Sequence, residues 1–285
     1  MIKRWLMPLF LAVLPMLVVL PGCSSDEDNP VDPNKGYHQI DIRLFSGDQF
    51  SYDRWDLDQS QQKVESTKRT YDVEFSSGMG SILQYQDWFF RIGKDRSTNE
   101  RDTLIIRVES RTRANATSYT RQVMAYGFMY EALQQFIALI MPLGEVGVPT
   151  IPAANWDVVA DFYDENGTAR DPGYEWPIGP AAGVPMNFTI NGSQVPVTAK
   201  LTGKYEAREE IITANNKQIK TWKSSVTASF NLLGTMELKV KINVWFSDDP
   251  GTIVKMVQES TQAIIPFLNL PITVDGDQQE LVSWI

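Results

Sequence analysis

The chain is short of the residues that build most enzyme sites. It holds one cysteine, Cys23, and one histidine, His38. A single cysteine excludes an internal disulfide framework, which needs pairs. One cysteine and one histidine exclude, by counting, a zinc site built from those ligands. A catalytic triad would have to use His38, which lies at the edge of a polar segment and not within an apolar strand that could bury and orient it. No Gly-rich phosphate loop of the Walker type is present. After residue 22 there is no run of 18 apolar residues, so no membrane-spanning helix is predicted there. Positive charge is also scarce. Lys and Arg number 26 against 35 Asp and Glu, a net charge of −9, and loss of residues 1–22 with Lys3 and Arg4 makes it −11. Such a body repels phosphate backbones, which excludes nucleic acid as an expected partner.

What is present is material for a sizeable core. The 285 residues are 43% hydrophobic, and the mean hydropathy is −0.23. One large domain or two small ones fit that length.

The first 22 residues have the order of an export signal. Lys3 and Arg4 form a positive start, Trp5 to Leu20 is uncharged and apolar, and small Gly22 precedes Cys23. The stretch Leu20-Pro21-Gly22-Cys23 resembles the lipobox of bacterial lipoproteins. The resemblance implies cleavage before Cys23 and lipid attachment to its thiol, so that acyl chains anchor the protein to a membrane. A lone cysteine is thereby accounted for. Residues 23–36 carry this cysteine and a polar, Pro-containing tether. Ser24 does not resemble the aspartate that retains enterobacterial lipoproteins in the inner membrane. Asp26-Glu27-Asp28 resembles the acidic surface-export signal of Bacteroidetes lipoproteins, and plain tether solubility explains it equally. The implied location is the bacterial outer membrane, on its periplasmic side or at the cell surface.

From residue 37 onward the dominant period is two, which predicts a single β-rich domain over 37–285. In TMELKVKINVWF, Met236, Leu238, Val240, Ile242, Val244 and Phe246 share one face. KQIKTWKSSVTASF alternates likewise, and Leu233-Gly234 between the two predicts a long hairpin. Further strands are predicted in HQIDIRLF, RTYDVEF, DWFFRIG, DTLIIRVESRTR, VPVTAKLTG, AREEIIT, GTIVKMVQES and QELVSWI. About ten strands joined by hairpins predict a mainly β fold: a curved antiparallel sheet or partly open β-barrel.

Residues 122–190 depart from that pattern and read as an insertion with a helix and a Gly/Pro-rich segment. Met129, Leu133, Phe136, Ile140 and Leu143 fall at helical steps, predicting a helix over 128–141 that is apolar on most of its circumference. Such a helix must be buried, either plugging the concave face of the sheet or lining a pocket there. Phe128, Met129, Leu133, Phe136 and Ile140 are the candidate residues for a lipophilic ligand cavity. The segment 144–186 is rich in Gly and Pro, with one strand expected near Asp157–Tyr163 and little period after it. Tyr174 and Trp176 within it are candidates for an exposed aromatic patch. DFYDENGTARD fails as a calcium loop. Aligning Gly167 with the invariant loop glycine puts Phe162 and Gly173 where acidic ligands belong, so a turn is expected.

Toward the C-terminus, Trp245, Phe246, Gly251, Val254 and Lys255 resemble a pattern in bacterial envelope proteins that share the partly open barrel of the lipoprotein carriers LolA and LolB. The resemblance spans about sixty residues. It implies an antiparallel sheet curled around helical elements with an apolar concavity. The hydrophobic protruding loop expected of LolB is not found in this sequence, so the resemblance does not extend to carrier activity.

Three functional readings follow. The first is a non-enzymatic, lipid-anchored envelope protein, with no cofactor or metal, that binds a lipophilic small molecule in a half-barrel cavity. The second is a surface accessory or adhesion lipoprotein acting on an envelope protein or glycan through Tyr174 and Trp176. The third is a glycosidase, which stays open because any two of the 35 acids can meet in space; it requires two facing carboxylates in an open cleft.

Overall fold

The computed structural model describes residues 39–141, 146–147, 150–190, 192–214, 216–234, 236–265 and 270–284. The expected signal segment, Cys23, the tether and His38 lie outside the described residues.

The fold is mainly β and antiparallel. Five strands form a meander: β1 (Gln49–Leu57), β2 (Arg69–Ser77), β3 (Phe89–Asp95), β4 (Arg101–Thr112) and β5 (Ser118–Tyr126). Helix α1 (Phe128–Ile140) follows, then the short strands β6 (Val146–Gly147), β7 (Trp156–Asp161), β8 (Glu175–Ile178) and β9 (Val184–Ile190). The long strands β10 (Ser193–Ala214), β11 (Lys217–Leu232) and β12 (Met236–Phe246) come next, with β13 (Ile253–Gln258). β14 (Thr261–Ile265) and β15 (Leu270–Val274) pair as a ribbon outside the main sheet, and β16 (Gly276–Trp284) closes the described chain.

Fourteen strands make one sheet in the order β6-β9-β10-β11-β12-β13-β16-β1-β2-β3-β4-β5-β7, with β8 also on the edge of β10. β16 sits between β1 and β13, aligning Phe50 with Trp284 and Lys255 with Glu280. It thus joins the two halves of the chain into one curved surface. Alternation sets the inner face: on β12, Leu238, Val240, Ile242, Val244 and Phe246 are all buried. The predicted β11/β12 hairpin is present, with Leu232 opposite Met236 and both Leu233 and Gly234 at positive φ.

The structure departs from the sequence expectation in four places. The described part of HQIDIRLF, residues 39–45, is not a strand. Ile40 and Ile42 are fully buried, but this extended segment takes its backbone bonds from side chains and single residues. Ile42 N donates to Thr120 Oγ1 at 2.6 Å, and Thr120 N donates to Ile40 O at 2.8 Å. VPVTAKLTG and AREEIIT are one 22-residue strand, β10, whose register shifts at Tyr205/Ala207 and Ala207/Glu210 break the alternation that would have joined them. QFSYDRWDL and SYTRQVMAY are strands β1 and β5, hidden by inward Arg54 and by Tyr119 and Thr120 buried side by side. Finally, residues 122–190 are no appendage: β7 pairs with β5 and β9 with β10, so the segment supplies both margins of the main sheet.

Helix α1 packs into the concave face. Seven of its residues are buried: Phe128, Met129, Ala132, Leu133, Phe136, Ile137 and Ile140. Phe136 stacks on Phe230 of β11 with centroids 3.9 Å apart and meets Phe188 of β9 edge-on at 5.9 Å. Glu131 and Ala138 are exposed, so the helix has a solvent stripe. The chain turns into it at Gly127, which has φ 75° and donates its N–H to Asn155 O at 2.7 Å.

Candidate functional site

The free edge of β7 lies against β8, which hangs from β10 at the far end of the sheet order. The contact across this seam is made by Trp176. Its indole Nε1 donates to the carbonyl oxygen of Val158 at 2.8 Å. Trp176 is registered opposite Gly203 of β10, and a Cβ on Gly203 would lie 2.1 Å from the indole. The glycine therefore gives the ring its place across the strand.

A pocket of about 440 Å³ opens where this seam meets the first turns of α1. That volume is within the usual range of small-molecule sites. Met129, Tyr130 and Leu133 form the helical wall. Asn155, Trp156, Asp157 and Val158 come from β7 and its approach, where Pro152 and Ala153 add apolar surface. Pro177, Gly179 and Pro180 make the β8 wall. Gly179 has φ 75° and sits under Met129, whose Cε would be 3.3 Å from an added Cβ.

The rim is braced by aromatic contacts. Trp156 meets Tyr85 edge-on at 5.9 Å and Tyr126 at 5.6 Å, and its Nε1 donates to Ile82 O at 3.2 Å. The 82–85 turn thereby packs beside the pocket mouth.

Asp157 is the pocket's one carboxylate. It is buried, and its Oδ2 accepts the N–H of Met129 at 2.8 Å, which satisfies a free donor of the first helical turn. Burial pushes its carboxyl up from the ordinary aspartate range, and the Met129 hydrogen bond opposes that. Tyr130 OH accepts from Gln134 Nε2 at 3.2 Å. A single carboxylate does not supply the facing pair of a glycoside hydrolase.

Of the residues expected to form a cavity, Met129 and Leu133 line this pocket. All five belong to the packed core, and Phe128, Phe136 and Ile140 do not line the pocket. The reading of Tyr174 and Trp176 as an exposed patch needs correction. Trp176 is only 5% exposed because its ring fills the space over Gly203, and half-buried Tyr174 stacks on it at 6.0 Å. The DENG segment is a tight turn: Asp164 Oδ1 accepts the N–H groups of Asn166 and Thr168 at 2.9 and 2.8 Å, and Gly167 has φ 80°.

Sequence reasoning missed Asp157 and the prolines of the β8 wall. The available signal was an aspartate at the head of the apolar run WDVVADFY, close in sequence to a helix in need of a cap.

A second polar cluster occupies the inner face of β1–β4 and β16. Arg54 pairs with Asp277, and Arg69 bridges Asp56, Asp95 and Asp277 at 3.2, 2.9 and 3.4 Å. Arg91, fully buried, contacts Asp102 at 2.5 Å and donates to Tyr71 OH at 3.1 Å. Burial pushes Asp277 up to about 6, against the pull of Arg54 and Arg69. The ion pairs offset these charges within the wall, while Arg91 Nε and Nη2 and Asp277 Oδ1 are buried without a hydrogen-bond partner.

No protein-family model and no curated protein matches this sequence. The solved structures to which it shows some similarity include two lipoproteins. One is described as a "putative lipoprotein" from Parabacteroides distasonis ATCC 8503, with a TM-score of 0.43 and 8% identity, covering 87% of this chain and 99% of its own. The other is the "hypothetical lipoprotein YmcC" from Escherichia coli K12, with a TM-score of 0.32 and 8% identity, covering 91% of this chain and 99% of its own. Likenesses at these scores carry no argument about what this chain binds.

Proposed function

We propose that the chain is a lipid-anchored, non-enzymatic protein of the bacterial outer membrane, tethered through Cys23, whose β-rich body binds a lipophilic small molecule in the pocket between α1 and the β7/β8 seam. One observation carries the reading. The helix that the sequence marks as too apolar for solvent leaves two of its side chains, Met129 and Leu133, facing a pocket of about 440 Å³. The Met129, Leu133, Pro152, Val158 and Pro177 walls offer a ligand apolar surface, worth about 25 cal/mol for each Å² removed from water. A methionine in such a wall adapts to irregular shapes.

Native mass spectrometry of the purified full chain, with lipid extraction, tests this. Wild-type protein should carry a bound apolar molecule. Leu133→Trp, a larger side chain at a fully buried position that also lines the pocket, should be empty where it remains folded. A wild-type chain that extracts clean and takes up no apolar probe overturns the ligand reading. The anchor is tested apart from it by fractionation: Cys23→Ser should leave the membrane, and a variant that stays membrane-bound overturns lipidation.

A further inference from the structure

We infer that the pocket selects apolar ligands bearing a cationic or hydrogen-bond-donating head and rejects anionic ones, with Asp157 as the residue that reads the head. The inference rests on the pocket being a ligand site, and it adds the ligand's chemical class.

The pocket sits at a helix N-terminus, which by itself favours an anion. Here that preference is already spent. The Oδ2 of Asp157 occupies the N–H of Met129 at 2.8 Å, so an incoming anionic head meets a carboxylate where the helix would have offered a donor. The lining contains no lysine, arginine or histidine to compensate. Fatty acids and phosphate-headed lipids thus find no cationic partner and one fixed like charge.

A donor head meets the opposite situation. A carboxylate has about four lone-pair sites. Met129 N is the one protein donor to Asp157 among the described residues, although the side chain is only 5% exposed. Neither oxygen is a buried, unpartnered atom, so the remaining acceptor sites face the pocket. An ammonium or hydroxyl arriving on an apolar tail can bond there while the tail lies along Met129, Leu133 and Pro177. The charge-assisted bond to an ammonium is the stronger of the two. The expected order is therefore amine, then alcohol, then acid.

The test uses decylamine, decanol and decanoate, alike in chain length, titrated at neutral pH into the purified full chain, with the emission of pocket-lining Trp156 as one readout and calorimetry as another. Wild-type protein should bind the amine about tenfold or more tighter than the acid, equivalent to about 1.4 kcal/mol. Asp157→Asn keeps an oxygen to cap Met129; it should bring amine and acid to similar affinity and weaken decanol less than decylamine. Leu133→Trp should lose all three probes. Equal binding of amine and acid by the wild type overturns the inference but leaves the pocket reading standing. Amine preference that survives Asp157→Asn or Leu133→Trp also overturns it, since the attraction would then come from the acidic surface. Failure of all three probes to bind removes the pocket reading and this inference with it. Should Asp157→Asn fail to fold, the wild-type ratio and the Leu133→Trp control still decide.

Discussion

The indole N–H of Trp176 reaches the carbonyl oxygen of Val158 across the margin where the curved sheet comes closest to closing on itself. One side chain thus joins β8 to β7 where no strand ladder links them. It also stands at the back of the pocket, because Val158 and Pro177, the neighbours of this contact, both line it.

The seam is expected to depend on that ring. Trp176→Phe keeps most of the volume but removes the donor, and an unpaired carbonyl costs about 1–3 kcal/mol. Gly203→Ala is expected to be at least as harmful, since its Cβ would lie 2.1 Å from the indole. Urea unfolding should place both midpoints below that of wild type. A Gly203→Ala protein with an unchanged midpoint would show that the ring is not packed there.

Gly93 plays the same part in the ionic cluster. A Cβ at this position would lie 1.7 Å from Tyr71 Oη and 2.1 Å from Asp102 Oδ1. Gly93→Ala should therefore disrupt the Arg91–Asp102 pair, and breaking a buried pair costs about 3–5 kcal/mol. Gly234→Ala is the matched control: its Cβ meets open space, and only its φ of 69° resists substitution, at about 1 kcal/mol. Calorimetric melting of the two variants should separate them clearly.

Asp277 ties stability to pH in a definite direction. Its carboxyl is raised from 3.8 to about 6 in the folded protein, first by burial. The folded state therefore holds this proton more tightly than the unfolded chain does. The stability this contributes is fully present below about pH 4 and is lost as pH rises through 6. The lowered carboxyls of Asp72, Glu109 and Glu206 act oppositely, losing their contribution as pH falls. Comparison with Asp277→Asn isolates the term: the stability of wild type relative to the variant should shrink between pH 4 and pH 7. A difference that grows over that range would contradict the assignment, as would a carboxyl resonance of Asp277 titrating near pH 4.

Core and pocket should separate along α1. Phe136 lies between Phe188 and Phe230 and does not line the pocket. Phe136→Ala is expected to cost about 3–5 kcal/mol and, where the protein remains folded, to leave probe affinity close to wild type. Leu133→Trp should abolish probe binding and, because Leu133 is fully buried, also cost about 1–3 kcal/mol. If Phe136→Ala abolished binding without loss of stability, the division of the helix would be wrong.

How much of this was legible varied along the chain. The β11/β12 hairpin was plain, because ten residues of strict alternation, 235–244, have one physical explanation. α1 was legible for the same reason at the other period. The strand β1 was not: Arg54 points inward, and only Asp277, more than two hundred residues away, makes that tolerable. Trp176 was read as an exposed anchor because local sequence cannot show that Gly203 will lie opposite it. Asp157 was missed for a like reason, since a cap is recognisable only once the capped N–H group is near.

By itself the sequence determined the class of fold, the place of the helix and the chemistry the chain lacks. Those follow from periodicity and counting, which act over a few neighbouring residues or over the whole composition. The tertiary structure decided which of the buried helix residues, Met129 and Leu133, also border a pocket. It also decided where the sheet nearly closes and which acid stands in the site. Those are matters of register between distant strands, and no local pattern encodes them.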